Sequence, residues 1–178
     1  MRIETPRLFL REMDENDFDA LYKVLSDRET MIHYPCAFDE KMVRGWIERN
    51  IERYRIFGFG LWAVCLKENG EMIGDCGLTM QNIGGTIKPE IGYHIRRDMQ
   101  RRGYAKEAAE AVRDFTFETL PFNVIFSYMK YTNIGSYSTA IANGMKKVKE
   151  YPDPKNEISY AYAITRKEWE ELVEKTEG

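Results

Sequence analysis

Six consecutive residues, Gln100-Arg101-Arg102-Gly103-Tyr104-Ala105, combine two guanidinium groups and a glycine with the start of a helical pattern, which suits a pyrophosphate. The first N–H groups of a helix have no partner within it, and the aligned peptide dipoles leave partial positive charge there. Gly103 lacks a Cβ and so permits both a tight turn and close approach of backbone to ligand. Arg101 and Arg102 add mobile positive charge beside it. Between Arg96 and Glu107 stand five basic residues, Arg96, Arg97, Arg101, Arg102 and Lys106, against two acidic ones, Asp98 and Glu107. The positive charge coincides with the turn rather than with a helix face, which separates it from an ordinary solvated surface.

The flanking elements must present this turn. Residues 90–97 read as a strand with Ile91, Tyr93 and Ile95 on one face and Glu90, Gly92 and His94 on the other. After the turn, Tyr104, Ala108, Ala111, Val112 and Phe115 recur at helical spacing to about Thr119, with Lys106, Glu107, Glu110, Arg113 and Asp114 opposite. Pro121 separates this helix from a strand over 122–131, and Thr132-Asn133 opens a short helix ending near Gly144. A strand, a long helix and a second strand imply a right-handed parallel crossover, with the ligand at the carboxyl ends of the two strands.

The rest of the chain supplies the frame. A first strand is expected over 7–13, then a helix capped by Asp14 with Phe18, Leu21, Tyr22 and Leu25 as its stripe. A second helix starts near Asp39, buries Val43, Ile47, Ile51 and Tyr54, and stops at Gly58 and Gly60. Strands over 61–66 and 72–80 flank an Asn69-Gly70 turn, and Gly84-Gly85 with Pro89 marks a loop before the strand at 90. Strands over 145–151 and 158–165 and a fraying helix from Arg166 close the chain. The expected class is mixed α/β (α+β), and 178 residues suit one domain over 1–178.

Composition narrows the function. A net charge of −3 argues against general nucleic-acid binding, and no stretch approaches the roughly 20 apolar residues of a membrane span. The amino terminus lacks a signal peptide's apolar stretch, so a cytoplasmic location is expected. Cys36, Cys65 and Cys76 are odd in number and widely spaced, and His33 and His94 are the two histidines, so neither a disulfide frame nor a metal site is expected.

Gln100 to Ala105 fits the acetyl-CoA motif Gln/Arg-x-x-Gly-x-Gly/Ala, and the chain resembles the GNAT superfamily of N-acetyltransferases. Glu4 to Arg11, Ile73-Gly74, Gly77-Leu78, Glu90 to Tyr93, Gly103 to Ala108, Asn133 with Ser136, and Gly144-Met145 narrow the resemblance to the branch of the ribosomal-protein alanine acetyltransferases RimJ and RimL. It covers nearly the whole chain in order. It implies a mostly antiparallel sheet with a splayed central parallel strand pair flanked by helices, acetyl-CoA as cosubstrate, and an amine as acceptor. Departures are Gln100 where the branch often has an aromatic residue, Met145 for a common phenylalanine, and Ala140 where many relatives carry a tyrosine that protonates the leaving thiolate.

Acetyl transfer to an amine needs the amine neutral, the carbonyl polarised and the thiolate stabilised. Glu90 is the first candidate base, since burial beside Gly92 would raise its pKa towards the working range, and His94 is the second. The backbone N–H around Ile95 is the candidate carbonyl donor. Ser136 is the candidate proton donor to the thiolate, with Tyr137 as the alternative. Asn133 caps its helix and, by resemblance, contacts the cofactor, as do Gln100, Arg101, Arg102, Gly103, Tyr104 and Ala105. Tyr34, Trp46, Tyr54 and Phe57 are candidates for an acceptor pocket. The acceptor itself stays open between a peptide N-terminus and a small-molecule amine, although the slight acidity favours a cationic one modestly. A non-catalytic acyl-CoA-binding module is the alternative reading, and exposed strand edges leave a homodimer open.

Overall fold

Apolar and alternating segments gather into one eight-stranded sheet in a computed structural model that describes residues 2–177. The strands are β1 (Arg2–Glu4), β2 (Leu8–Arg11), β3 (Leu61–Leu66), β4 (Met72–Ile83), β5 (Thr86–Ile95), β6 (Val124–Lys130), β7 (Lys146–Asp153) and β8 (Glu157–Thr165). Their order is β1-β2-β3-β4-β5-β6-β8-β7, and only the β5–β6 pair is parallel. The helices are α1 (Phe18–Leu25), α2 (Glu40–Phe57), α3 (Tyr104–Thr119), α4 (Ile134–Ala142) and α5 (Arg166–Glu177). The expected fold class holds: a mixed, mostly antiparallel sheet with one central parallel pair and helices on its faces.

Strand alternation sends side chains to two cores. On one face Trp62, Val64, Leu78, Ile91 and Ile125 pack with Ala108, Ala109, Val112 and Phe117 of α3. On the other, Ala63, Cys65 and Met72 meet Leu21, Val24 and Leu25 of α1 and Val43 and Ile47 of α2. Glu90 and His94 face the α1/α2 side, opposite Ile91 and Ile95.

Several boundaries differ from the sequence reading. The strand expected over 7–13 is shorter, Leu8–Arg11, and an additional strand, Arg2–Glu4, pairs with it because Thr5 folds the chain back through Thr5 N–H and hydroxyl bonds to the Leu8 carbonyl. Asp14 caps a 3-10 turn, Glu15–Asp17, rather than α1 itself. The loop expected over 84–89 is a tight turn at Gly84-Gly85, with φ of +60° and +88°, and the strand already runs from Thr86. Pro89 lies inside it, paired with Met80; with no N–H to give, it is tolerated because the β6 side of β5 is paired only at Glu90. In α2 the inward positions are Val43, Ile47 and Asn50, whereas Ile51 is exposed. Asn50 repays its burial by accepting the Leu61 N–H at 2.9 Å and donating to the Trp46 carbonyl at 2.9 Å. Arg113, expected on the wet face of α3, is buried and donates to the Asn143 carbonyl at 3.0 Å, which fastens α3 to the end of α4.

Candidate active site

The parallel pair is joined at Glu90 and Phe126 and then opens. Ser127 Oγ donates to the Ile91 carbonyl at 3.3 Å at the start of the split. Arg96 N–H donates to the Ile73 carbonyl on β4 at 2.8 Å, so Ile95, one residue earlier, turns its own N–H and carbonyl away from β4 into the gap. Gln100 Nε2 donates to that Ile95 carbonyl at 2.8 Å and so ties the turn to the strand end. A cleft of about 720 Å³ occupies the gap, walled by Tyr93, His94 and Ile95 on one side and Asn133 to Ser136 on the other.

Its far end is the turn over residues 100–105. Gly103 is the N-cap of α3 at φ +83° and offers no side-chain cap, so the first N–H groups of a 16-residue helix face the cleft end without a side-chain partner. Arg101 sits at φ +60°, an unusual place for a residue with a Cβ. The turn is held from outside by a residue the sequence reading did not single out. Arg7 donates through its Nη1 to the Arg102 carbonyl at 2.9 Å, and through its backbone N–H and Nε to Glu107 at 2.8 and 2.6 Å. Thr5 Oγ1 adds a third donor to Glu107 at 2.6 Å. Burial alone would raise the Glu107 pKa, but these donors outweigh it and hold the carboxyl below its usual value.

The cations of the turn divide by partner. Arg96 bonds Asp98 and Glu71, each at 2.6 Å, and Arg97 lies 4.0 Å from Asp27. Arg101 and Arg102 have no ion pair among the described residues. Arg101, Gly103, Tyr104, Ala105 and Lys106 line the cleft, as does Gln100; Arg102 does not.

On the other wall, Asn133 caps α4 by accepting the Ser136 N–H at 3.1 Å, and both residues line the cleft. Tyr93 donates its hydroxyl to the Ser136 carbonyl at 2.9 Å and lies 3.3 Å from Ser136 Oγ. Burial pushes the Tyr93 phenol up to about 12. Its one proton is engaged by the carbonyl, which leaves the Ser136 hydroxyl as the mobile donor. Tyr137 stacks on Tyr162 at 6.3 Å, away from the cleft, and Ala140 is buried in the core.

Glu90 is 8% exposed and accepts from Thr79 Oγ1 at 3.3 Å. Burial pushes its carboxyl up to about 7, moderated by the Thr79 hydroxyl and by His94 and Arg53. It sits beneath the start of the split rather than on the cleft wall. His94, 7% exposed, does reach the wall. Its Nδ1 lies 2.7 Å from Asp75 Oδ1 and its Nε2 2.7 Å from the Tyr34 hydroxyl, while Trp46 Nε1 donates to Asp75 Oδ2 at 2.8 Å. Asp75, fully buried in the apolar first half of β4, was missed; a carboxylate in such a run is itself the signal, because burial demands partners. Of the aromatic candidates, Tyr34 lines the cleft and Trp46 orients Asp75. The other two do not take part: the Tyr54 hydroxyl donates to the Leu61 carbonyl, and Phe57 stacks on Phe59 at 5.8 Å.

Cys36 is exposed on the loop that carries Tyr34, whereas Cys65 and Cys76 are buried. Among the described residues no cluster of three His, Cys, Asp or Glu side chains is placed to hold a metal ion, and no helix is long and apolar enough to cross a membrane.

The family model described as the acetyltransferase (GNAT) domain matches residues 7–146. YkkB of Bacillus subtilis (strain 168) is 31% identical over 157 residues, spanning 86% of this chain and 91% of its own. The uncharacterized N-acetyltransferase YnaD of the same strain is 28% identical over 179 residues, spanning 95% and 99%. The solved structure of RimL, a ribosomal L7/L12 alpha-N-protein acetyltransferase in complex with coenzyme A, superposes with a TM-score of 0.76 at 16% identity, covering 93% of this chain and 98% of that one.

Proposed function

The chain belongs to the GNAT family of acetyl-CoA-dependent N-acetyltransferases, and from that premise we propose that it transfers the acetyl group to a primary amine by direct attack in a ternary complex. One observation carries the reading: a single cleft runs from an uncapped, glycine-started helix to the parted strands, where His94 reaches its wall and the buried Glu90 carboxyl, pushed up to about 7, lies beneath the start of the split. The residues fit the cosubstrate. The α3 N-terminus with Gly103, Tyr104 and Ala105 would hold the pyrophosphate, Gln100 and Arg101 would flank it, and Arg102 would add charge from outside the wall. Asn133 would meet the pantetheine amides. When bound, acetyl-CoA supplies an acyl group on a thiol leaving group.

Glu90, directly or through a water, takes the proton of the amine. The Ile95 N–H, turned into the gap, is the donor available to a carbonyl oxygen there. Ser136 is the donor available to a thiolate, with Tyr93 fixing its backbone. A second reading of the base has its own support, since His94 and not Glu90 reaches the cleft wall. Glu90→Gln and His94→Gln separate the two: the true base loses turnover and its limb of the pH profile while acetyl-CoA binding persists. The transfer reading is tested by titration with acetyl-CoA and ATP, followed by thiol release across an amine panel. Tighter binding of ATP would overturn it. A single domain over 1–178, working in the cytoplasm, completes the proposal.

A further inference from the structure

On the α1/α2 side of the sheet Trp46, Asp75, His94 and Tyr34 form one hydrogen-bonded series, and its donors and acceptors can be ordered from the buried end. The Trp46 indole N–H can only donate, and it reaches Asp75 Oδ2 at 2.8 Å. Asp75 Oδ1 faces His94 Nδ1 at 2.7 Å. The fully buried Asp75 thus has one nitrogen partner on each oxygen, the arrangement of a carboxylate between two N–H donors. A neutral His94 then carries its proton on Nδ1 and accepts at Nε2, where the Tyr34 hydroxyl stands 2.7 Å away. Tyr34 is the donor of that bond.

The surroundings hold this order in place. Withdrawal of the Tyr34 hydroxyl from water pushes its pKa well up, and Glu90 and Asp75 act in the same direction, so the phenol keeps its proton. The His94 ring lies 5.2 Å from the Tyr34 ring and 5.8 Å from the Trp46 ring, centre to centre. The loop that carries Tyr34 is pinned by Met31, buried in the α1/α2 core, whose carbonyl accepts the Tyr34 N–H at 2.9 Å. Its far end is tied by the Phe38 N–H, which donates to the Leu25 carbonyl at 2.8 Å.

With its proton given to His94, the Tyr34 oxygen has only lone pairs left to offer. No other group among the described residues donates to it. Tyr34, His94, Ile95 and Ser136 line the same cleft, so this oxygen borders the space where the Ile95 N–H is proposed to meet the thioester carbonyl. It does so from the α1/α2 side, whereas α4, which carries Ser136, packs through Ala140 into the α3 core. An amine and a leaving thiol therefore have separate flanks.

We propose that the Tyr34 oxygen holds the acceptor amine by accepting one of its N–H bonds, and that Asp75 sets this polarity through the tautomer of His94. The assignment rests on the acetyl-transfer reading and holds whether Glu90 or His94 takes the amine's proton. Asp75→Asn should reverse the polarity. Trp46 must keep an acceptor, so the amide oxygen turns to the indole and the amide nitrogen to His94 Nδ1. The histidine proton then moves to Nε2, and Tyr34 accepts it and turns its own O–H into the cleft, against an incoming N–H.

Nitrogen NMR of His94 at about pH 8, above the ordinary histidine range, should show Nδ1–H in the native chain and Nε2–H in Asp75→Asn. Phenethylamine, spermidine, kanamycin and an alanyl peptide are then titrated onto the protein saturated with CoA, and the tightest binder is carried through the variants. Tyr34→Phe should weaken it about tenfold, the size of one charge-assisted contact, and Asp75→Asn at least as much, with CoA affinity unchanged in both. Tyr34 is 41% exposed, so its variant folds and carries the test by itself if Asp75→Asn does not. Binding of none of the four amines, unchanged affinity in Tyr34→Phe, or a native His94 protonated on Nε2 would overturn the proposal. Affinities that shift as expected while no amine releases thiol from acetyl-CoA would instead sink the transfer reading and leave the amine site standing.

Discussion

Glu90 is a carboxylate withdrawn from water, and its proton follows from that. A base must be ionised, so kcat/KM should rise with pH through about 7, the value to which burial pushes this group, and Glu90→Gln should abolish that limb and lower kcat with acetyl-CoA affinity intact. A pH profile of both proteins decides it; an unchanged rate and profile would remove Glu90 from the chemistry. The same shift acts on stability. Between the ordinary value of 4.5 and about 7 the folded protein keeps a proton that the unfolded chain has released, so stability falls as pH rises across that window. The difference is about 3 kcal/mol. Glu90→Gln should therefore raise the melting temperature more at pH 8 than at pH 4.5, read by thermal unfolding at both. Glu90 was legible as a candidate in residue type and strand position. The depth of burial was not, nor was the Asp75–His94–Tyr34 chain, because these depend on α2 and its preceding loop closing over the sheet. Arg113 was misread for a related reason: helical spacing gives its face, but not that α4 ends against it.

The turn proposed to hold the pyrophosphate is set by two left-handed residues, Arg101 and Gly103, and an external clamp. In Gly103→Val a β-branched side chain would be forced to φ +83°, and even its Cβ would stand 3.2 Å from Arg7 Nη2. Acetyl-CoA titration should show lost binding in a folded protein; normal affinity would count against the whole assignment. Arg7→Ala releases the Arg102 carbonyl and one of the three Glu107 bonds, the one from Nε. Its backbone bond remains possible, so the expected effect is a severalfold rise in the acetyl-CoA dissociation constant with kcat largely kept. Loss of kcat at unchanged affinity would speak against a positioning role. The turn was readable because strand, glycine and helix start are local. The clamp was not, since Arg7 and Glu107 are 100 residues apart in sequence and only the fold joins them. Pro89 taught the converse: a residue that usually ends a strand is harmless where the neighbouring strand has parted.

Across the whole sheet, the β1–β5 side and the β6–β8 side meet at one recorded register pair, helped by the Ser127–Ile91 and Tyr93–Ser136 bonds. A ligand filling the split should lace them together. Hydrogen exchange with and without acetyl-CoA should therefore show protection gained in α4 and around the phosphate turn, and little change in β2 and β3. Uniform change would argue that the two sides already move as one. The free edge at β7 carries Lys146, Lys147, Lys149 and Pro152 with a register shift after Lys147, features that discourage strand pairing, so a homodimer built through that edge is disfavoured. Cys36 has a practical use in this architecture. The other two thiols are shut inside the core, so a maleimide dye would attach at one position, two residues from Tyr34 at the cleft mouth. The native chain thus offers one attachment point for an optical reporter beside the cleft, without a single engineered change.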